Sequence, residues 1–202
     1  SAPRAGTTMR QARISRKTSE TSIDLTLDLD APLEGPVDTG SGFLDHMLDL
    51  FRRHGGFGLT VVCKGDTHID MHHSAEDIAI CLGEALRQAL GDKSGIERYG
   101  FYYVTMDEAL ARCCLDLSGR MAFEWNAAIP APRLGNLDTE LIEHFFQSVA
   151  ENARMNLHLD LLRGTNSHHC AEALFKAFAR ALAMAVSPSR RVSGIPSTKG
   201  AL

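Results

Sequence analysis

The chain has 202 residues, a formal net charge of -4 and a hydrophobic content of 44%. This length suits one domain, or two closely packed halves, with a substantial hydrophobic core. The modest negative charge gives no electrostatic reason to expect nucleic acid or an anionic membrane as a partner, although a small anionic molecule needs only a local basic pocket.

The cysteine pattern and the lack of long apolar runs bound the cellular setting. Five cysteines, an odd number without regular spacing, argue against a disulfide framework, so we expect free and mostly buried thiols. No apolar run approaches the roughly 20 residues needed to cross a bilayer, and the N-terminal region lacks the apolar segment of a signal peptide. We therefore expect a soluble, intracellular protein without a membrane partner, located in the cytoplasm or, if the source is a plant, in the plastid stroma.

The predicted elements occur in the same order twice. After a leader over residues 1–8, expected to be flexible, the first half contains strands over 9–17 and 23–29, a loop over 31–41, a helix from Gly42 to about Gly55, a strand over 59–63 and a helix that stops at Gly91. The second half contains strands over 102–104, 111–117 and 121–129, a helix over 139–152, a strand over 157–161 and a helix over 169–186.

Landmarks in the two halves recur at a nearly constant offset. His144 lies 98 residues after His46, His168 lies 96 residues after His72, and the tripeptide Ser-Gly-Ile occurs at 94–96 and again at 193–195. This agreement predicts an internal duplication, with one half over 9–100 and the other over 101–202 in a single compact unit. We expect an α/β fold, an α+β two-layer sandwich in which each ββαβα half places helices on one face of a sheet.

The sequence His-His-x-x-Glu occurs once in each half, and an acidic residue followed by histidine stands about 25 residues upstream of each copy. Imidazole and carboxylate groups are ligands for divalent first-row metals. Residues three or four positions apart share one face of a helix, so the histidines of each motif can converge on its glutamate. Two matched sets predict a dimetal site, with these candidate ligands: His46, His72, His73, Glu76, His144, His168, His169 and Glu172.

The predicted ligand set indicates the kind of site. Three imidazoles and one carboxylate per ion leave coordination positions open, which is typical of a catalytic centre. An isolated His-His pair is more often a surface or core feature, and it is the repeated context that favours ligation. No cysteine recurs at a matching position, which excludes copper–thiolate and iron–sulfur chemistry and leaves Cys170 out of the set. Manganese, iron, cobalt and zinc all remain open.

Basic residues near the end of each half could bind an anion. Arg98 follows the first Ser-Gly-Ile, Lys199 follows the second, and Arg120 lies in a turn between two predicted strands. The segment 196–200, Pro-Ser-Thr-Lys-Gly, adds backbone amides, hydroxyls and an ammonium group, which suit a phosphate without forming a Walker loop. Each of these residues alone is more often a solvated charge, so an anionic substrate stays an open alternative at this point.

The motifs resemble those of the imidazoleglycerol-phosphate dehydratase family of histidine biosynthesis, over about residues 13–200. The most specific segments are Gly42-Phe43-Leu44-Asp45-His46-Met47-Leu48, Ile69-Asp70-Met71-His72-His73-Ser74-Ala75-Glu76-Asp77, Glu143-His144-Phe145-Phe146, Asn166-Ser167-His168-His169 and Pro196-Ser197-Thr198-Lys199-Gly200. One departure is Met71, where the family often has a second aspartate. It lies between ligands without being one.

The resemblance implies a fold, a reaction and an assembly. Each half would contain a mixed four-stranded sheet, and the protein would be a lyase that converts D-erythro-imidazole glycerol phosphate to imidazole acetol phosphate and water. The candidate ligands would hold two Mn²⁺ per active site, and trimers would assemble into a 24-subunit homo-oligomeric shell with active sites between subunits. The implied substrate contacts are Glu20, Arg98, Arg120, Ser197 and Lys199.

The implied chemistry suits these residue types. The proton to be removed lies on a carbon that bears a hydroxyl group and is not acidic by itself. A substrate imidazole held by the two metals as its imidazolate could expel the neighbouring hydroxyl, and loss of the C2 proton would then give an enol that becomes the ketone. A carboxylate must transfer these protons. Glu172 is the first catalytic candidate and Glu20 the second, although Glu20 alone fits a solvated charge at a strand end equally well.

Two other functions use the same residues. A dimetal hydrolase would direct a bridging water at a phosphate ester or an amide and release phosphate or an amine. A metal-storage protein, or a shell held together by metal ions, would saturate its ligands and leave the basic residues without a role.

Overall fold

Two halves with the same order of main elements follow one another along the chain, and the second adds a short hairpin before its first helix. The computed structural model describes residues 9–202, so the leader expected over 1–8 lies outside the described residues. The first half comprises β1 (Gln11–Lys17), β2 (Thr21–Asp28), β3 (Val37–Asp38), α1 (Gly42–Gly55), β4 (Gly58–Gly65) and α2 (His72–Leu90). The second comprises β5 (Tyr99–Met106), β6 (Ala109–Asp116), β7 (Ala122–Asn126), β8 (Arg133–Leu134), β9 (Leu137–Asp138), α3 (Glu140–Ala153), β10 (Asn156–Arg163) and α4 (Ser167–Val186).

Each half contains a mixed four-stranded sheet, which confirms the predicted fold class. The strand orders are β1-β2-β4-β3 and β5-β6-β10-β7. Neighbouring strands are antiparallel except at one edge of each sheet, where β3 runs parallel to β4 and β7 parallel to β10. The short strand β3 lies in a segment predicted to be loop, and β8 and β9 form a small separate hairpin.

Alternating apolar residues form the inner face of each sheet. Ile23, Leu25 and Leu27 of β2 are all nearly inaccessible to solvent, as the alternation predicts. Leu25 pairs with Ile14 on one side and with Val61 on the other, so a row of apolar side chains crosses the sheet at one level. These rows face the helices and form the outer parts of the hydrophobic core.

Local capping signals set the helix ends near the predicted positions. The hydroxyl of Ser41 accepts a hydrogen bond from the Leu44 amide at the start of α1, and Gly56 ends the helix in the left-handed conformation, with φ 68°. The side chain of Asn166 caps α4 by accepting from the His169 amide. This cap places the start of α4 at Ser167, so that both motif histidines lie in its first turn.

The helices of one half pack against those of the other, α1 on α4 and α2 on α3. Gly83 permits the second contact, because a Cβ at this position would lie 2.7 Å from Cβ of Asn152 and 2.8 Å from the carbonyl oxygen of Val149. In the first contact, the buried rings of Phe51 and Phe178 stack 5.7 Å apart. Burial of each such aromatic side chain contributes about 1.5–3 kcal/mol, so the two halves share one core.

Among residues 9–202, no helix combines the length and apolar character required to span a membrane. The five cysteines are free thiols, as predicted, and four of them are buried.

Candidate metal clusters and anion pocket

The first cluster of predicted ligands joins α1 to α4. His46 lies in the second turn of α1, and His168 and Glu172 lie one turn apart on α4. Nε2 of His168 is 3.1 Å from a carboxylate oxygen of Glu172, and Nε2 of His46 is 3.9 Å from the same oxygen. Three ligand atoms, one from each residue, lie within 4.8 Å of one another. Two imidazoles and one carboxylate thus converge as a divalent metal ion requires.

The second cluster is the counterpart of the first and joins α2 to α3. Nε2 of His72 lies 3.6 Å from a carboxylate oxygen of Glu76, and the rings of His72 and His144 are 5.9 Å apart. This cluster is more open. Across the described part of the chain, only His46, His168 and Glu172 bring three ligand atoms within 4.8 Å.

The partners are crossed between the halves. The motif of the second half receives His46 from the first half, and the motif of the first half receives His144 from the second. The crossing follows from the packing of α1 on α4 and of α2 on α3, which brings the N-terminal turns of each helix pair together. Six of the eight predicted ligands therefore form two groups of three, and each group needs both halves.

The second histidine of each motif points elsewhere. Nδ1 of His73 lies 2.7 Å from a carboxylate oxygen of Asp66, and Nδ1 of His169 lies 3.1 and 3.2 Å from the two oxygens of Glu108. The expected convergence on the motif glutamate holds for the first histidine and fails for the second. Consecutive helical residues project about 100° apart, so His73 and His169 present their rings away from the clusters.

Glu172 is the most buried of the candidate acid–base groups, with 9% of its side chain exposed. Burial acts to raise its pKa, but a hydrogen bond of 2.7 Å from the Lys176 ammonium, together with the charges of Lys176 and His168, outweighs burial and holds the pKa of Glu172 below its ordinary value. Lys176 was not a predicted site residue. The sequence offers one indication of its role: Lys176 lies four residues after Glu172, so both side chains share one face of α4.

Glu20 lies in the turn between β1 and β2, with about half of its side chain exposed. Its nearest predicted ligand is His73, whose Nδ1 is 3.7 Å from a Glu20 oxygen. The turn therefore brings Glu20 to the edge of the metal region. This distance exceeds that of a hydrogen bond, so the Glu20 carboxylate is not hydrogen-bonded to His73.

The predicted anion-binding residues line one pocket with a volume of about 320 Å³. It is lined by Arg98, Ser118, Gly119, Arg120, Ser197, Thr198, Lys199, Ala201 and Leu202. All four basic and hydroxyl residues predicted for an anion are present: Arg98, Arg120, Ser197 and Lys199. The pocket also contains Thr198, which belongs to the predicted segment 196–200, and Ser118, which was not predicted.

Arg98 is held rigidly at this pocket. Its guanidinium donates to both oxygens of Asp116, at 2.7 and 3.1 Å, and to the carbonyl oxygen of Pro196 at 3.0 Å. The hydrogen bond to Asp116 raises the pKa of Arg98, so the guanidinium stays charged. Its backbone has a positive φ of 74°, unusual for a residue other than glycine, and its amide is bonded to the Ala185 carbonyl. Three of the five donor positions are occupied, which leaves two for an anion.

The anion pocket and the first metal cluster lie at opposite ends of the second sheet. Arg98 adjoins Asp116 at one end of β6, whereas Lys176 contacts Met106 and His169 contacts Glu108 beside the other end. The seven residue steps along β6 correspond to about 23 Å. Helix α4 spans the same distance, because His168 lies in its first turn and Ala185, near its last residue, adjoins Arg98.

The remaining histidines lie outside both clusters. His158 is exposed on the outer face of β10, and His68 is exposed in the segment between β4 and α2. His54 lies at the end of α1, 3.5 Å from the Arg180 guanidinium, and burial with the nearby charges of Lys176 and Arg180 lowers its pKa.

The chain is similar to proteins of one known family over most of its length. The family described as imidazoleglycerol-phosphate dehydratase matches residues 39–182. The imidazoleglycerol-phosphate dehydratase of Streptococcus mutans is 55% identical over 194 residues, covering 96% of this chain and all of the relative. That of Cereibacter sphaeroides is 53% identical over 195 residues, with the same coverage.

Solved structures agree with this relationship. The crystal structure of imidazoleglycerol-phosphate dehydratase from Staphylococcus aureus is 41% identical, covers 89% of this chain and 99% of its own, and gives a TM-score of 0.80. That of IGPD from Pyrococcus furiosus is 32% identical, covers 94% and 100%, and gives a TM-score of 0.81.

Proposed function

The chain belongs to the imidazoleglycerol-phosphate dehydratase family, carbon–oxygen lyases of histidine biosynthesis, and we propose that it converts D-erythro-imidazole glycerol phosphate to imidazole acetol phosphate and water. The observation that carries this proposal is the presence of two imidazole–carboxylate clusters and a separate basic pocket. The substrate has one end that binds metals, the imidazole, and one anionic end, the phosphate. Each end has a matching region on the protein.

Two Mn²⁺ ions fit the donor sets of the clusters. Neutral imidazole nitrogens with one carboxylate oxygen suit a divalent first-row metal, and no cysteine lies among the clustered donors. The ligands proposed are His46, His168 and Glu172 for one ion, and His72, Glu76 and His144 for the other. His73 and His169, whose rings point away from the clusters of their own chain, would complete the shells of ions bound to neighbouring copies. When bound, such ions supply Lewis-acid stabilisation of negative charge on the imidazole ring of the substrate.

The carboxylates perform the proton transfers. Dehydration removes the C2 proton, breaks the bond between C3 and its hydroxyl oxygen, and delivers a proton to the departing oxygen so that water leaves. Glu172 is suited to this task because Lys176 keeps it ionised and fixes its direction. Glu20 is the second carboxylate, available from the exposed turn between β1 and β2. The resulting enol becomes the ketone by tautomerisation.

The basic pocket binds the phosphate. Arg98 offers two remaining donor positions in a fixed orientation, and Lys199 and Arg120 add mobile positive charge. The hydroxyl of Ser197, which accepts from the Lys199 amide and keeps its own hydrogen to donate, completes the set of short-range donors. Asp116 neutralises only part of this charge, so the pocket retains a net attraction for a dianion.

One chain cannot place a single substrate molecule in both regions. The pocket lies about 23 Å from the first cluster along β6. The three-carbon chain between imidazole and phosphate spans about as many bonds as two extended residues, about 7 Å. The substrate therefore has to bind between the clusters of one subunit and the pocket of another. This requirement supports the homo-oligomer that the family resemblance implies, trimers assembled into a 24-subunit shell with active sites between subunits.

The test is an assay with imidazole glycerol phosphate and Mn²⁺, with a chelator as control. We expect formation of the enol or ketone, detected by its ultraviolet absorbance, and loss of the activity on chelation. Release of inorganic phosphate instead would favour a dimetal hydrolase. Tight Mn²⁺ binding without any turnover would favour a metal-storage or structural role.

A further inference from the structure

The largely buried carboxylate of Asp66 orients the ring of His73 through a contact with Nδ1. Asp66 lies directly after β4, and 12% of its side chain is exposed. Its backbone amide donates to the carbonyl oxygen of Glu20, which holds the loop in place. Because a carboxylate only accepts, the 2.7 Å contact requires a proton on Nδ1 of His73. Nε2 of His73 is then the unprotonated nitrogen that can bind a metal.

The ring of His169 is fixed in the same way by a carboxylate from a different place. Glu108 lies in the turn between β5 and β6, and its oxygens are 3.1 and 3.2 Å from Nδ1 of His169. It also accepts the backbone amide of Asn166 at 2.8 Å, and Asn166 is the N-cap of α4. Glu108 therefore ties the turn, the helix cap and the histidine together.

The two halves use non-equivalent carboxylates for this equivalent task. Glu20 and Glu108 occupy corresponding positions, each directly before the second strand of its half, and both following residues, Thr21 and Ala109, are buried. The Glu108 carboxylate accepts a hydrogen bond from Nδ1 of His169. Glu20 is 3.7 Å from His73, where Asp66 has taken the same role.

We propose that Asp66 and Glu108 are positioning residues that orient His73 and His169 for metal binding, and that the use of Asp66 in the first half releases Glu20 for proton transfer. The inference rests on the proposed function, since it assigns tasks within that site. This division of tasks explains why two glutamates at corresponding turns differ, Glu20 being available for reaction and Glu108 being structural. A carboxylate behind a metal-binding histidine fixes its tautomer and direction, and its loss typically lowers metal affinity about 10- to 100-fold.

The first test measures Mn²⁺ affinity of the metal-free protein by calorimetry. We expect Asp66→Ala and Glu108→Ala to weaken binding about 10- to 100-fold, and Asp66→Asn and Glu108→Gln to weaken it less, because their side-chain oxygens can still accept from Nδ1. Asp24→Ala is the control: it removes a carboxylate that pairs with Arg13 on the sheet face opposite the helices, with 46% of its side chain exposed. Thermal melts of the metal-free variants identify any loss of folding.

The second test compares the two turn glutamates. Glu20→Ala should retain Mn²⁺ affinity and lose turnover, whereas Glu108→Ala should lose affinity and regain turnover at saturating Mn²⁺. Wild-type affinity in both Asp66→Ala and Glu108→Ala, or an Asp24→Ala defect as large as that of Glu108→Ala, would overturn the positioning role. Equal profiles of affinity and turnover for Glu20→Ala and Glu108→Ala would overturn the division of tasks. If the wild-type protein bound no Mn²⁺, the proposed function itself would fail.

Discussion

Complementation between two inactive variants tests the separation of the metal clusters from the anion pocket. His46→Ala removes a ligand of the first cluster and leaves the pocket intact. The double variant Arg120→Ala, Lys199→Ala removes two charges from the pocket and leaves the clusters intact. Each protein alone is expected to be inactive, because every active site then lacks one of its two parts.

The expected magnitude follows from the geometry. A separation of about 23 Å along β6 exceeds the span of the substrate, so in the proposed assembly an active site takes its cluster from one copy and its pocket from another. In a random one-to-one assembly, an intact site forms when the cluster comes from the double variant and the pocket from His46→Ala. With closed symmetric contacts this happens in about one quarter of the sites, so co-assembly should restore up to about a quarter of wild-type activity.

The assay uses co-expression of the two variants with different affinity tags and purification through both tags in sequence. Dehydration of imidazole glycerol phosphate is then measured at saturating Mn²⁺. Separately purified variants, mixed without subunit exchange, serve as the control and should stay inactive. Hybrid assemblies that contain both chains and show no activity would mean that the cluster and the pocket act within a single chain, and the distance reasoning would be refuted.

Three further substitutions have defined outcomes. Glu172→Gln should lower turnover by about 10²- to 10⁴-fold with Mn²⁺ bound at saturation, and substantial remaining turnover in a metal-loaded variant would exclude Glu172 as the acid–base group. Lys199→Ala should raise KM about 10- to 100-fold, the loss of a charged hydrogen bond of roughly 1.5–3 kcal/mol, without changing Mn²⁺ affinity or assembly; a change in metal affinity would contradict the assignment of Lys199 to the phosphate. Gly83→Ala should destabilise the fold by about 1–3 kcal/mol, because the added Cβ would meet the backbone of α3 at 2.8–2.9 Å, and the melting temperature should fall. Gly42→Ala, whose Cβ would meet nothing within 4 Å, is the control, and equal melting temperatures for the two variants would contradict the close helix contact.

Much of the fold is readable from local sequence signals. The alternation through Leu25 and Leu27 marks β2, and Ser41 and Gly56 mark the ends of α1, because strand faces and helix caps depend on residues only a few positions apart. The two-residue strands β3, β8 and β9 were not predicted, since two residues are too few to show alternation. β3 forms because it pairs with the longer strand β4, whereas β8 and β9 pair with each other.

The sequence by itself determined the duplication, the helical context of the motifs and the residue types of the site. It could not determine which ligands meet, because α1 packs on α4 and α2 on α3 through long-range contacts that no local pattern encodes. Only the tertiary structure showed that His46 joins Glu172, that His73 turns to Asp66, and that Lys176 holds Glu172. It also decided that the anion pocket lies a full strand away from the first cluster, since the length of β6 separates residues that the motifs alone would assign to one site.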